Sequence, residues 1–133
     1  MPLTRLAYIS KLRITPDYVG FEDEFVERIR KQSEFNNRRR EISGVLLYNH
    51  DTQEVVQVLE GEEDVIKDLL ETIKLDNRHR NMRVMSQMTV TERQYSHWGM
   101  LRGGGKAWKL VKMHLPASSD PAIVESFDNA FDK

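Results

Sequence analysis

The sequence predicts an α+β fold: a ferredoxin-like βαββαββ sheet with two helices on one face, plus a C-terminal helical extension. Two observations carry this prediction. Along residues 1–102, apolar spacing switches between the strand period of two and the helix period in that order of elements. The chain has 133 residues, the size of one domain with one core. We therefore expect the fold proper at 1–102 and the extension at 103–133.

The first strand is predicted at residues 3–10, where polar and apolar side chains alternate. Alternation places Tyr8 and Ser10 on one face of the strand and Ile9 on the other. Both faces are largely apolar, so both need a cover.

The first helix is predicted at 20–35, after the turn residues 15–17. Its apolar residues recur at every fourth position. They are Phe21, Phe25 and Ile29. Asn36 and Asn37 are expected to close the helix, as asparagine often does. The three arginines at 38–40 suggest either a phosphate site or a solvated basic cap that complements the helix dipole, and the sequence favours the cap.

A hairpin is predicted from the apolar runs 42–48 and 55–61, which flank the polar turn 49–54. Gln57 interrupts the second run. A buried amide is costly unless a partner hydrogen-bonds it, and that partner is either a core group, a water or a ligand against the sheet. Alternation allows Gln57 to share a face with Tyr8.

The second helix is predicted at 62–75, where acids precede an apolar pattern of helical period. The polar stretch 76–81 ends it. The ranges 82–91 and 96–101 are expected to be the fourth strand and a short fifth strand, in which Trp98 and Met100 share a face.

The extension begins with a glycine run at 103–105, which we interpret as a flexible hinge because it lacks the spacing and lysine of a phosphate loop. One amphipathic helix is predicted after Ser119-Asp120-Pro121. Its apolar stripe is Ile123, Val124, Phe127 and Phe131. Either this stripe or another chain is expected to cover the second face of the sheet.

Composition limits the function classes. The chain has 20 Lys and Arg against 21 Asp and Glu, which gives no general attraction to nucleic acid or membrane. It has no cysteine, which excludes thiol chemistry and is compatible with a cytoplasmic location. No stretch approaches the ~20 apolar residues of a membrane span or resembles a signal peptide.

Polar residues converge on the predicted cleft between the two helices and the sheet. They are Tyr8, Ser10, Ser33, Asn36, Asn37, Gln57, Asp76, Arg78 and His79. An apolar cleft with a few such groups is a common form of cofactor site, although each residue alone is also explained as a satisfied core group or a helix cap. The four histidines are scattered, so no metal site is expected. No nucleophile motif is present, and we expect no enzymatic activity.

Several stretches, in this order, resemble the BLUF family, the sensors of blue light using FAD. They are Tyr8-Ile9-Ser10, residues 33–48 (SEFNNRRREISGVLLY), Gln57-Val58-Leu59-Glu60-Gly61, Asp76-Asn77-Arg78-His79 and Trp98-Gly99-Met100. The resemblance covers about residues 4–101. Two positions depart from it: Val55 stands where the family generally has phenylalanine, and Thr72 where it often has a basic residue.

The resemblance implies an FAD held without a covalent bond between the two helices. Tyr8 would donate an electron and a proton, Gln57 would bridge Tyr8 to the ring and rearrange, and Trp98 and Met100 would relay the change to the extension. Asn37 would hydrogen-bond the ring carbonyl and ring NH. The implied cofactor contacts are Tyr8, Ile29, Ser33, Asn36, Asn37, Gln57, Ile73, Asp76, Arg78 and His79.

Two functions therefore remain open. The first is a blue-light photoreceptor that signals through its extension to a homo-oligomer or a separate downstream protein, since 133 residues leave no room for an effector domain. The alternative is a BLUF-like interaction module that binds no flavin. An acylphosphatase-like hydrolase is disfavoured, because no glycine-rich phosphate loop with an arginine follows the first strand.

Overall fold

The computed structural model describes residues 2–96 and 101–131 of the chain, and it shows a mixed sheet with helices on both faces. A short 3-10 turn at Pro16–Tyr18 precedes the first helix. The elements in chain order are β1 (Leu3–Leu12), α1 (Glu22–Arg39), β2 (Ser43–Asn49), β3 (Glu54–Gly61), α2 (Glu63–Lys74), β4 (His79–Val90), β5 (Leu101–Arg102), α3 (Gly105–Met113) and α4 (Pro121–Phe131). Across these described residues, no helix combines the length and apolar character needed to cross a bilayer.

The sheet has the strand order β4-β1-β3-β2-β5. Its first four strands pair antiparallel, and β5 pairs parallel with β2. The ferredoxin-like order is thereby confirmed. The two strands expected to carry the switch, β1 and β3, are the inner neighbours, and Tyr8 lies directly opposite Gln57 in their register.

One face of the sheet packs against α1 and α2. Leu6, Tyr8 and Leu12 of β1 join this core, as alternation requires. The helices contribute Phe25, Val26, Ile29 and Ile66 as buried residues.

The predicted end of the first helix is wrong, because α1 continues through Asn37 to Arg39. The Asn37 side chain is only 1% exposed and points into the core, so this asparagine is an interior residue and not a cap. The prediction that Phe21 belongs to the apolar face of the first helix is also wrong. Phe21 is the residue before the helix, its backbone is not helical, and it is 58% exposed.

The opposite face of the sheet is covered by this chain's own extension. Trp108 and Phe127 are fully buried there, against Ile9 and Val56 among others. The extension contains two helices where one was predicted. Helix α3 was missed because its first residue, Gly105, belongs to a glycine run that favours a break in the chain.

The glycine run also permits close packing. A Cβ on Gly103 would lie 2.7 Å from carbon atoms of Val45, Leu47 and Ala107. One on Gly105 would lie 2.9 Å from the carbonyl oxygen of Phe131. The run therefore lets the extension approach the sheet, and its proposed flexibility as a hinge stays a prediction.

The fourth strand differs from its predicted bounds, and most of the predicted fifth strand lies outside the described residues. Strand β4 begins at His79 and not at Met82, because His79 and Arg80 already pair with β1. The described part of β5 is Leu101–Arg102. Trp98 and Met100 lie outside the described residues.

A buried carboxylate ties the segment after β4 to β3. Glu60 is 0% exposed, and it accepts hydrogen bonds from the backbone N–H groups of Gln94 (2.9 Å) and Tyr95 (2.8 Å) and from Arg5 Nε (2.8 Å). Arg93 adds a bond to the carbonyl oxygen of Glu60 at 2.8 Å. These bonds fix the chain that leads from β4 toward β5.

The cover on the second face can be tested with a pair of phenylalanine substitutions. We expect Phe127→Ala to lower the free energy of unfolding by about 3–5 kcal/mol, because it removes a fully buried ring. Phe35→Ala is the control, since Phe35 is 65% exposed, and it should stay within about 0.5 kcal/mol. Equal effects in chemical denaturation would contradict the packing described for α4.

The Glu60 bonds make a second prediction. Glu60→Gln should destabilise the protein by about 3–5 kcal/mol, because Arg5 and two backbone donors lose a charged acceptor. It should also speed amide hydrogen exchange at Gln94 and Tyr95. Glu92→Gln, an exposed position in the same segment, is the control and should change neither quantity.

Candidate functional site

A cavity of about 90 Å³ lies between α1, α2 and the sheet. Every residue predicted to contact the cofactor lines it: Tyr8, Ile29, Ser33, Asn36, Asn37, Gln57, Ile73, Asp76, Arg78 and His79. The fold thus brings together groups from five separate stretches. A larger groove of about 780 Å³ on the outer surface of α1 is open to solvent and has no buried polar residue in its wall.

Four further residues line the cavity and were not predicted: Gln32, Leu59, Leu69 and Thr72. Helical spacing could have found two of them, since Gln32 follows Ile29 by three positions and Leu69 precedes Ile73 by four. Leu59 follows Gln57 by two positions on the same strand face. Thr72 was noted only as a departure from the family pattern.

Tyr8 and Gln57 form the central contact of the site. The Tyr8 hydroxyl donates to Gln57 Oε1 at 2.5 Å, and the two side chains are 0% and 2% exposed. The contact arises because the two residues are directly opposite in an antiparallel pair and so share a face. Burial raises the pKa of Tyr8, and Asp76 adds to the rise, so the phenol keeps its proton at neutral pH.

Asn37 supplies a buried acceptor from α1. Its Oδ1 has no hydrogen-bond partner among the residues that the structure describes. A buried carbonyl oxygen without a partner costs about 1–3 kcal/mol. A ligand with an N–H group would satisfy it, which makes Asn37 a candidate ligand contact.

The entrance to β4 carries the charged groups of the site. Arg78 donates hydrogen bonds from Nε and Nη2 to the Asp76 carboxylate, the second at 2.6 Å. Its Nη1 donates to Gln32 Oε1 on α1 at 2.5 Å. The hydrogen bond from Arg78 holds the pKa of Asp76 below its ordinary value. His79 is held by Ser10, whose Oγ lies 2.7 Å from its Nδ1.

The chemical groups in the cavity wall fit a flavin ring, whereas the volume of the cavity is small for a ligand site. The wall offers an unsatisfied acceptor, an amide and apolar side chains on both helices, which match a planar heterocycle with N–H and C=O groups. Its volume of about 90 Å³ is below the ~300–1,000 Å³ of typical ligand sites. The Arg78–Gln32 bond links the middle of α1 to the residue before β4, and both residues line the cavity.

Within residues 2–96 and 101–131, no group of three or more His, Asp or Glu side chains could hold a metal ion.

Comparison with known proteins gives one family. The sequence pattern described as "BLUF: Sensors of blue-light using FAD" matches residues 3–101. No curated protein matches the chain.

Solved structures share the fold. BlrB, described as a BLUF protein in its dark state, is 25% identical, with a TM-score of 0.68 and 98% of each chain covered. A bacterial light-regulated adenylyl cyclase is 25% identical, with a TM-score of 0.63, and 97% of this chain covers 39% of that one. BlrP1 of Klebsiella pneumoniae, described with FMN and cyclic diGMP, is 23% identical, with a TM-score of 0.67, and 94% of this chain covers 34% of that one.

The cyclase and BlrP1 are therefore much longer than the part that this chain matches, and their whole-protein activities do not transfer with the fold. The match over residues 3–101 covers most of the 133 residues and includes every stretch that lines the cavity. On this basis the chain belongs to the BLUF family, the sensors of blue light using FAD.

Proposed function

We propose that this chain binds FAD without a covalent bond and senses blue light through Tyr8 and Gln57. The observation that carries the proposal is the buried 2.5 Å hydrogen bond from Tyr8 to Gln57 Oε1 in the wall of the cavity. A bound flavin supplies absorption of blue light and an excited state that accepts an electron. Tyr8 is the donor, because its phenol is the readily oxidised group among the described residues that line the cavity.

The proton of Tyr8 has a defined route. Its raised pKa means that the phenol does not lose a proton at rest. Loss of an electron makes a phenol strongly acidic, and Gln57 Oε1 is already in place as the acceptor. An amide protonated on oxygen can release a proton from Nε2, so Gln57 could pass the proton to a bound flavin that has accepted the electron, and would itself be left in a different tautomer or orientation. Either outcome changes which groups Gln57 offers to the cavity.

The other wall residues hold the ring. Asn37 Oδ1, which lacks a partner in the described chain, accepts from the ring N–H, with Asn36 beside it at the mouth. Ile29 and Ser33 contact the ring from α1. On the other side lie Ile73, Asp76, Arg78 and His79.

A second cavity supports FAD over a flavin without phosphates. It has a volume of about 440 Å³, shares Asn36, Leu69 and Thr72 with the first, and adds Arg39 and Arg40. Guanidinium groups bind phosphate oxygens well. These two arginines can therefore meet the pyrophosphate, and they take the place of the basic residue that Thr72 does not supply.

The route of the signal follows the strands. Ile9 and Val56, which neighbour the photochemical pair, pack on the opposite face in the same core as Trp108 and Phe127. A displacement of β1 or β3 would therefore be transmitted to α3 and α4 through this core. Relay by Trp98 and Met100 remains part of the proposal, as does output to a homo-oligomer or a separate partner without catalytic turnover.

One observation favours the second candidate, an interaction module that binds no flavin. The cavity of about 90 Å³ is narrower than a typical ligand site. The next two experiments separate the candidates.

Flavin binding is tested by titration. We expect the purified protein to bind FAD more tightly than riboflavin, with yellow absorption bands that stay with the protein on gel filtration. Asn37→Ala should weaken binding about ten-fold, the effect of about 1.4 kcal/mol from a lost buried hydrogen bond. Lys31→Ala, at an exposed position of α1 that lines neither of these two cavities, is the control and should change affinity little. A protein that stays colourless with FAD would support the interaction module.

The photochemical pair is tested by light. Blue light should produce a reversible red shift of the flavin absorption in the native protein. Gln57→Leu and Tyr8→Phe should keep the flavin and lose the shift, because each removes one end of the hydrogen bond. Gln32→Leu is the control, since Gln32 also lines the cavity but bonds only Arg78 among the described residues. A normal shift in Gln57→Leu would remove Gln57 from the mechanism.

A further inference from the structure

Ser10 touches the site through one residue, His79. It lies two positions after Tyr8 on the same face of β1, is 1% exposed, and does not line the cavity. Its Oγ is 2.7 Å from Nδ1 of His79, the first residue of β4. His79 itself lines the cavity, and its ring makes an edge contact with the Tyr8 ring at 6.5 Å between centroids.

The surroundings of His79 favour its neutral form. Burial lowers its pKa, Arg78 lowers it further, and Asp76 opposes both effects. A neutral imidazole carries a single proton, so one ring nitrogen donates and the other accepts. The partner of Nδ1 therefore decides what Nε2 can do.

The Ser10 hydroxyl sets the direction of this bond. Ser10 Oγ lies within hydrogen-bond distance of His79 Nδ1. If Nδ1 carried the proton, the hydroxyl proton of Ser10 would have no acceptor among the described residues. If Ser10 donates to Nδ1, the bond is satisfied and the ring proton sits on Nε2.

We propose that Ser10 is a positioning residue that holds His79 in its Nε2–H tautomer, so that the cavity receives a fixed N–H donor. The donor stands on the β4 side, and the acceptor Asn37 Oδ1 stands on α1. The matching ligand is a planar heterocycle that offers an N–H to one wall and a carbonyl or ring-nitrogen acceptor to the other. The identity of that ligand as a flavin rests on the proposed function, whereas the tautomer is a property of the chain itself.

The tautomer is measured by NMR on ¹⁵N-histidine-labelled protein without flavin, with His79→Gln used to assign the His79 signals. We expect Nδ1 of the native protein to show the shift of an unprotonated nitrogen and Nε2 that of a protonated one. The opposite pattern in the native protein would overturn the proposal. Because no flavin is present, a failure of flavin binding does not affect this result.

Three variants test the role of the hydroxyl. Ser10→Ala should give a mixture of tautomers, and Ser10→Thr should restore the native pattern because it keeps a hydroxyl. Ser33→Ala is the matched control. Ser33 also lines the cavity, but among the described residues it is Ser10, not Ser33, that hydrogen-bonds His79. A native pattern in Ser10→Ala would show that the hydroxyl does not select the tautomer. If that variant does not fold, the native protein and Ser10→Thr still decide.

The affinity for FAD tests whether the Nε2–H group of His79 donates to the ligand. FAD should bind Ser10→Ala about five-fold more weakly than the native protein, the effect of one ordinary hydrogen bond. Ser10→Thr should regain the native dissociation constant. An unchanged constant in Ser10→Ala, together with a changed tautomer, would overturn the assignment of Nε2–H as a ligand donor.

Discussion

The hydrogen bond between Tyr8 and Gln57 depends on the register of two strands, and the rest of the site depends on that register. β1 and β3 are adjacent strands in the interior of the sheet, and these two residues are direct cross-strand partners. A slip by one residue would move either side chain to the opposite face and break the contact. The buried side chains that border the pair on both faces oppose such a slip, since they too would change face.

The same alternation gives each strand two roles. On β3, Gln57 faces the cavity, while Val56 and Val58 face the extension. Near its end, Glu60 binds the backbone after β4. One strand therefore touches the cavity, the covering helices and the segment that leads to β5. Because β3 has a strand on each side, a local change in it must be taken up by its neighbours.

Periodicity in the sequence predicts the helices, the strands and the faces of each strand. Contacts between distant parts of the chain cannot be predicted from it. Alternation allowed Tyr8 and Gln57 to share a face, and family motifs named ten of the fourteen described residues that line the cavity. Asn37 resembles a helix cap in the sequence, whereas in the folded chain it is buried and α1 continues past it to Arg39. No linear pattern shows that Glu60 meets Gln94 and Tyr95, because that contact is created by the folded sheet.

Glu60 and Asn37 are both buried polar side chains, but they differ in whether the described chain supplies their hydrogen-bond partners. Glu60 is completely buried, and its carboxylate accepts bonds from Arg5, Ser43 and two backbone N–H groups, so its desolvation is compensated within the chain. Asn37 is nearly as buried, yet its Oδ1 has no partner among the described residues. An apolar residue there would avoid that cost. The fold keeps the uncompensated acceptor at the wall of the cavity, where a ligand N–H can compensate it.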